Sequence, residues 1–255
     1  MNLRRRKIRY SRSDAGGNIF FLCHKRRFMF LAISKNASTS LKELLYVLES
    51  GRAPGDIPAD IHRTLGWRAK RGRAIDRRNR KALAKYQDYF RFVVYRDPVD
   101  RFLSAYHSQV LYPPRPHPFY VRNRLEGMAL DPFLDIVEEI LRIENPLHID
   151  EHLRPQRRYY EWDDVDEIVE MDSLNEFLLR TFQVRRIPSA NAIVAPRVTV
   201  TQAQIARIRE LYREDYTIPT TYPAIKAAPS NTEALRADAK APHSSTPEIA
   251  AAVMS

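Results

Sequence analysis

FRFVVYRDPVDRFLSAYHS, Phe90 to Ser108, is the stretch that decides how this chain is built. Phe90–Tyr95 is apolar at successive positions, the pattern of a strand buried on both faces in a parallel sheet. Asp97-Pro98 then starts a helix, because Asp supplies a capping oxygen and proline has a helical φ with no N–H to satisfy. Val99, Phe102, Leu103 and Tyr106 line one face of that helix.

The same unit recurs upstream. Phe28–Ile33 reads as a strand and SKNASTS, Ser34 to Ser40, as a polar loop. Leu41, Leu44, Leu45 and Leu48 give a helix that Gly51 ends. Ser40 and Glu43 have the spacing of a capping box. Asn18–Leu22 is a further short strand, turning through His24–Arg27 into the next. Downstream, 131–143, 172–183 and 201–213 read as helices and Ile168–Met171 as a strand. Gly51–Asp60 and the Pro-rich Tyr112–Pro118 are loops, and 63–87 is helix-prone and very basic. This order predicts an α/β fold: a single P-loop-like domain with a central parallel sheet flanked by helices. Ligands of such sheets sit at the carboxyl ends of strands, here the loops at 34–40 and 96–104.

The 255 residues are 44% hydrophobic, enough for a real core. There is no apolar run long enough to span a membrane, and the basic N-terminus lacks the apolar segment of a secretory signal. One cysteine, Cys23, excludes an intrachain disulfide and a cysteine-based zinc site, and makes a reducing, cytoplasmic setting the expectation. The formal charge of +11 is uneven. Met1 to Phe30 carries nine basic residues and one acid, whereas Asp131 to Phe177 carries four arginines and 15 acids. An anionic partner follows from the net charge, but no nucleic-acid-reading pattern accompanies it. Residues 1–16 read as a basic flexible leader, 17–222 as the folded domain, and 223–255 as an Ala/Pro/Ser-rich disordered tail.

Two loops have the chemistry of anion sites. In the first, helix N–H groups, Lys35 and the hydroxyls of Ser38, Thr39 and Ser40 can receive one terminal phosphate. The glycines and GK[ST] of a nucleotide-wrapping P-loop are absent, which argues against a kinase. In the second, Arg96 leaves a strand end, and Ser104 follows two helical turns later. The bland alternatives are a capped helix with a surface lysine, and an Arg96 paired with Asp97 or Asp100.

LAISKNASTSLKELL, YRDPVDRFLSAYHS, DEHLRPQ (Asp150 to Gln156) and LYREDYTIPTTY (Leu211 to Tyr222), in that order, resemble the PAPS-dependent sulfotransferases. PAPS is 3′-phosphoadenosine 5′-phosphosulfate. The nearest likeness is to sulfotransferase family 2, the carbohydrate branch of chondroitin and dermatan enzymes, in its soluble bacterial form. The resemblance implies a sulfuryl transfer from PAPS to a hydroxyl, on a glycan or glycoconjugate, without a metal. It implies that Lys35, Asn36, Ala37, Ser38, Thr39 and Ser40 hold the 5′-phosphate and that Arg96 and Ser104 hold the 3′-phosphate. Ser34 stands where the family usually has proline. Lys35 would stabilise the leaving phosphate, and a His/Glu base would accept the acceptor's proton. His152 with Glu151 and His62 are the base candidates; His107 and His148 are weaker ones. Arg154 and Arg157 are candidates for holding an anionic acceptor. Two other readings stand beside this one: a P-loop-type nucleotide kinase, and a basic protein that binds polyanions or an acidic membrane surface without catalysis.

Overall fold

The structure is a computed structural model that describes residues 18–65, 74–113, 117–143, 145–184 and 198–219. The basic leader, the tail beyond 219, and part of the basic tract at 68–85 lie outside the described residues.

Among the described residues, five strands form one mixed sheet in the order β3-β1-β2-β4-β5. They are β1 (Ile19–Cys23), β2 (Phe28–Leu31), β3 (Ala74–Asp76), β4 (Phe90–Tyr95) and β5 (Glu167–Glu170). The fold class is α/β, as the residues predict, with β2–β4 and β4–β5 as the parallel pairs and β1 alone reversed. β1 runs antiparallel to β2 and to β3. The hairpin turn His24–Arg27 explains the first reversal, since a short turn joins only antiparallel neighbours. Register places Phe30 beside Phe92, and Val94 beside Val169.

Period-two alternation sends side chains to two layers. Phe28, Phe30, Phe90, Phe92, Val94 and Val169 meet α1 (Ser38–Ser50) and α7 (Leu174–Phe182). Aromatic rings dominate there, with Phe28 and Phe182 centroids 4.4 Å apart and Phe92 and Phe177 5.0 Å apart. Met29, Leu31, Val93 and Ile168 face the other way, against Tyr159, Tyr160, Val165 and Ile218. A third cluster packs α4 (Pro98–Tyr106) against α5 (Pro118–Arg122), α6 (Leu130–Leu141) and α8 (Gln202–Leu211).

The expected helix over 63–87 is a correction. Among its described residues are α2 (Ile61–Thr64), which enters it, the edge strand β3, and α3 (Arg80–Leu83). Two arginines of this region, Arg77 and Arg80, pair with buried Asp164 of the acidic half, and Arg91 of β4 pairs with buried Asp166. The expected loop at Tyr112–Pro118 leads into α5, which Pro118 opens with His117 as its N-cap; residues 114–116 of the loop lie outside the described residues.

Candidate active site

β2 and β4 are neighbours, so the loops that leave them lie side by side at one edge of the sheet. Asn36 stitches the first loop down: its amide donates to Val94 O at 2.7 Å and to Gln156 Oε1 at 2.5 Å. Lys35 and Ala37 both take left-handed backbone conformations, with φ of 71° and 55°. Non-glycine residues pay about 1–2 kcal/mol each for this. Such kinks belong to the anion-binding concavities made by successive backbone N–H groups. Ala37 occupies the N-cap of α1 and no side chain caps that helix. The expected Ser40/Glu43 capping box is therefore overturned, because the helix starts two residues earlier, at Ser38. Its first N–H groups have no intrahelical partner and carry the positive end of the helix dipole.

Three cations converge on this loop. Lys35 Nζ donates to Ser108 Oγ at 2.8 Å, and Arg96 donates to Lys35 O at 3.0 Å. Arg101, 1% exposed, donates to Ser34 O at 3.1 Å and to Glu151 O at 3.2 Å. Every charged partner of a carboxylate among the described residues lies elsewhere; none of these three is ion-paired. Arg96 does not pair with Asp97, whose carboxylate instead accepts from Val99 N and Asp100 N. Burial, then repulsion from Arg96 and Arg101, pulls the Lys35 pKa down to about 8. The left-handed backbone, the uncapped helix start and the three cations are together the features of a site that can receive an anion. Ser104 lies half-buried on α4.

The base candidates separate. His152 is held by Asp150, not by Glu151: its Nδ1 lies 3.1 Å from Asp150 Oδ1, and its backbone N–H donates to the same oxygen at 3.0 Å. Glu151 is pinned through its carbonyl by Arg101 and by the Tyr159 hydroxyl. His62 lies on α2 with both ring nitrogens engaged, Nδ1 3.2 Å from Lys42 Nζ and Nε2 3.1 Å from Thr39 Oγ1. An ammonium only donates, so Nδ1 accepts and Nε2–H donates to Thr39. Crowding by protein, then the charge of Lys42, lowers the His62 pKa to about 4, even though the ring edge is exposed. His107 is buried in the π-turn His107–Leu111 with Nε2 unbonded, and His148 is exposed.

The remaining members of DEHLRPQ are structural. Gln156 accepts from Asn36 and from Arg96 N, and donates to Arg96 O and to Asp215. One amide thus ties both loops to the segment after α8. Arg154 is buried with its guanidinium over the Tyr159 ring, and Arg157 stacks on Trp162 at 4.2 Å. Sequence reasoning missed Arg101, Ser108, Asp150 and Gln156. Arg101 was not legible, since helical spacing puts it on the face opposite Val99, Phe102, Leu103 and Tyr106, where a charge reads as solvated; its burial comes from tertiary packing. No cluster of three or more metal-ligating side chains occurs among the described residues.

No curated protein and no solved structure matches the chain at a significant level. A family model does, across residues 18–218, a span that contains every strand and helix named above. With the anion-shaped edge of the sheet on its own geometry, that match places the chain in the sulfotransferase family.

Proposed function

We propose that the chain transfers a sulfuryl group from PAPS to a hydroxyl of a carbohydrate or glycoconjugate. The observation that carries this is the gathering of Lys35, Arg96 and Arg101, none ion-paired among the described residues, at the Ser34–Lys35 loop that leads into the uncapped start of α1. A donor with phosphates at both ends of its ribose satisfies that arrangement better than a single small anion. In this reading Lys35, the Asn36–Ala37 backbone, Ser38, Thr39 and Ser40 receive the 5′-phosphate, and Arg96 with Ser104 receives the 3′-phosphate.

The acceptor oxygen attacks sulfur in line with the sulfur–oxygen bond to the 5′-phosphate. That bond breaks, its electrons remain on the phosphate oxygen, and the acceptor's proton passes to a base. Little covalent work falls to the protein; positioning and charge stabilisation do most of it. Lys35 stabilises the growing charge on the leaving phosphate. His152 is favoured over His62 as the base. Asp150, by accepting at Nδ1, leaves Nε2 of His152 as the proton acceptor, whereas both nitrogens of His62 are occupied. Glu151 then contributes charge near Lys42 and His62 rather than holding His152. A single buried cysteine, with no helix among the described residues long and apolar enough to cross a membrane, suits a cytoplasmic enzyme.

Melting curves with 3′-phosphoadenosine 5′-phosphate and with ATP test the donor. The bisphosphate should raise the melting temperature and ATP should not. Stabilisation by ATP alone overturns the reading in favour of a kinase. A PAPS-dependent screen of glycans and small hydroxyl compounds, read by a mass gain of one sulfate, then identifies the acceptor.

A further inference from the structure

Asp150 is fully buried, yet among the described residues no lysine or arginine forms an ion pair with it. Its Oδ1 accepts from the Tyr120 hydroxyl at 3.0 Å, from His152 N, and from His152 Nδ1. Its Oδ2 has no hydrogen bond, and faces His117 Nδ1 at 3.6 Å. Taking a carboxylate out of water without a close permanent countercharge is expensive. Burial pushes the Asp150 pKa up, but the two imidazoles more than reverse this, so the carboxylate stays ionised.

Resting on the sulfuryl-transfer reading above, we infer that Asp150 is the positioning residue of the reaction, fixing the tautomer and the ring orientation of His152. An ionised carboxylate only accepts, so His152 Nδ1 must carry the proton. The bond from His152 N to the same oxygen closes a local Asp turn, which sets the carboxylate before the ring meets it. Tyr120, from α5, blocks rotation of the carboxylate with a third bond. Nε2 of His152 has no hydrogen-bond partner among the described residues, and its side chain is 13% exposed. The base is thereby presented as one nitrogen, while His152 N, His152 Nδ1 and the Tyr120 hydroxyl all donate to Asp150 Oδ1.

The test has two arms. In the wild-type chain labelled with nitrogen-15 histidine, the His152 signals, assigned by their loss in His152→Gln, should show a protonated Nδ1 and a bare Nε2 in the neutral ring. In Asp150→Asn, the amide can donate to Nδ1 and favour the opposite tautomer. kcat should then fall roughly 100- to 10,000-fold, with the donor KM within about threefold and bisphosphate-induced stabilisation retained. A neutral wild-type His152 protonated on Nε2, or an Asp150→Asn enzyme with wild-type kcat, overturns the inference. The first arm needs neither turnover nor a folded Asp150 variant, so it decides the assignment even if the wild-type chain transfers no sulfate and the donor reading falls.

Discussion

β2 and β4 are adjacent parallel strands, and each runs through a short loop into a helix, yet the two junctions are chemical opposites. At the start of α4, Pro98 removes one N–H, and Asp97 takes two more. Its carboxylate already occupies the place an anion would take, so the dipole of α4 is neutralised from within. At the start of α1, Ala37 brings no side-chain oxygen, its backbone is left-handed, and the N–H groups stay open. One architecture is thus a sealed joint and an open socket, and one residue at the cap decides which. Arg96, leaving the sealed joint, reaches across to Lys35 O, so its charge serves the open one.

The sharpest way to break this contrast is to remove the cations of the open junction. Lys35→Ala and Arg96→Ala should each lower PAPS turnover by about a thousandfold or more, since even one lost donor to a developing oxyanion costs 100- to 1000-fold. The melting temperature of the ligand-free protein should hold for Arg96→Ala and should rise for Lys35→Ala, which removes a charge repelled by two arginines. Near-normal turnover in either variant would move the donor site elsewhere. Closing the socket should do less. Ala37→Asp keeps a residue tolerated at positive φ and places a carboxylate at the helix start. Bisphosphate affinity should drop about 10- to 100-fold, while the free protein gains about 0.3–1 kcal/mol from the dipole. Titration calorimetry and melting curves read the two effects separately.

The sealed joint was legible and the open one only half so. Phe90–Tyr95 and the Asp97-Pro98 start are local signals, and they match β4 and the cap of α4 residue for residue. The polar loop between β2 and α1 was also visible, together with Lys35. Its conformation was not, because a left-handed Ala37 is set by tertiary ties such as Asn36 to Val94 O and Gln156, 58 and 120 residues away. The same limit hid β3, three residues whose only warrant is pairing with β1. It also gave His152 the wrong partner: Glu151 is next in sequence, but an adjacent side chain points elsewhere, while Asp150 two residues back closes the turn.

Acidity offers a gentler probe of the open junction. Lys35 loses its proton near pH 8 in the free protein, well below the ordinary lysine value of 10.5. Donor binding needs the ammonium, so bisphosphate affinity should fall as pH rises through 8, by up to about tenfold per unit. Stability should move the other way. The unfolded chain holds this proton up to about pH 10.5, so between the two values it binds more protons than the folded one, and raising the pH favours folding. After discounting for solvent screening, the gain is of the order of 1 kcal/mol. Lys35→Met should flatten both trends. A binding curve that stays level from pH 7 to 9 in the wild-type chain would mean that Lys35 does not meet the donor.

The smallest effect belongs to the sealed joint. Asp97→Ala deletes the cap of α4, exposing two N–H groups, and should reduce stability by about 1 kcal/mol. If the joint is purely structural, the loss appears in chemical denaturation and nowhere in donor binding. Asp97 also sits one residue from Arg96, and its negative charge opposes any phosphate that Arg96 holds. Its removal should therefore leave bisphosphate affinity equal or slightly tighter, never weaker. The two outcomes are separable because the cap acts on the folding equilibrium and the charge acts on binding. Weaker binding with unchanged stability would reverse the assignment: Asp97 would then be organising Arg96 for the ligand, and the contrast between the junctions would be one of degree rather than of kind.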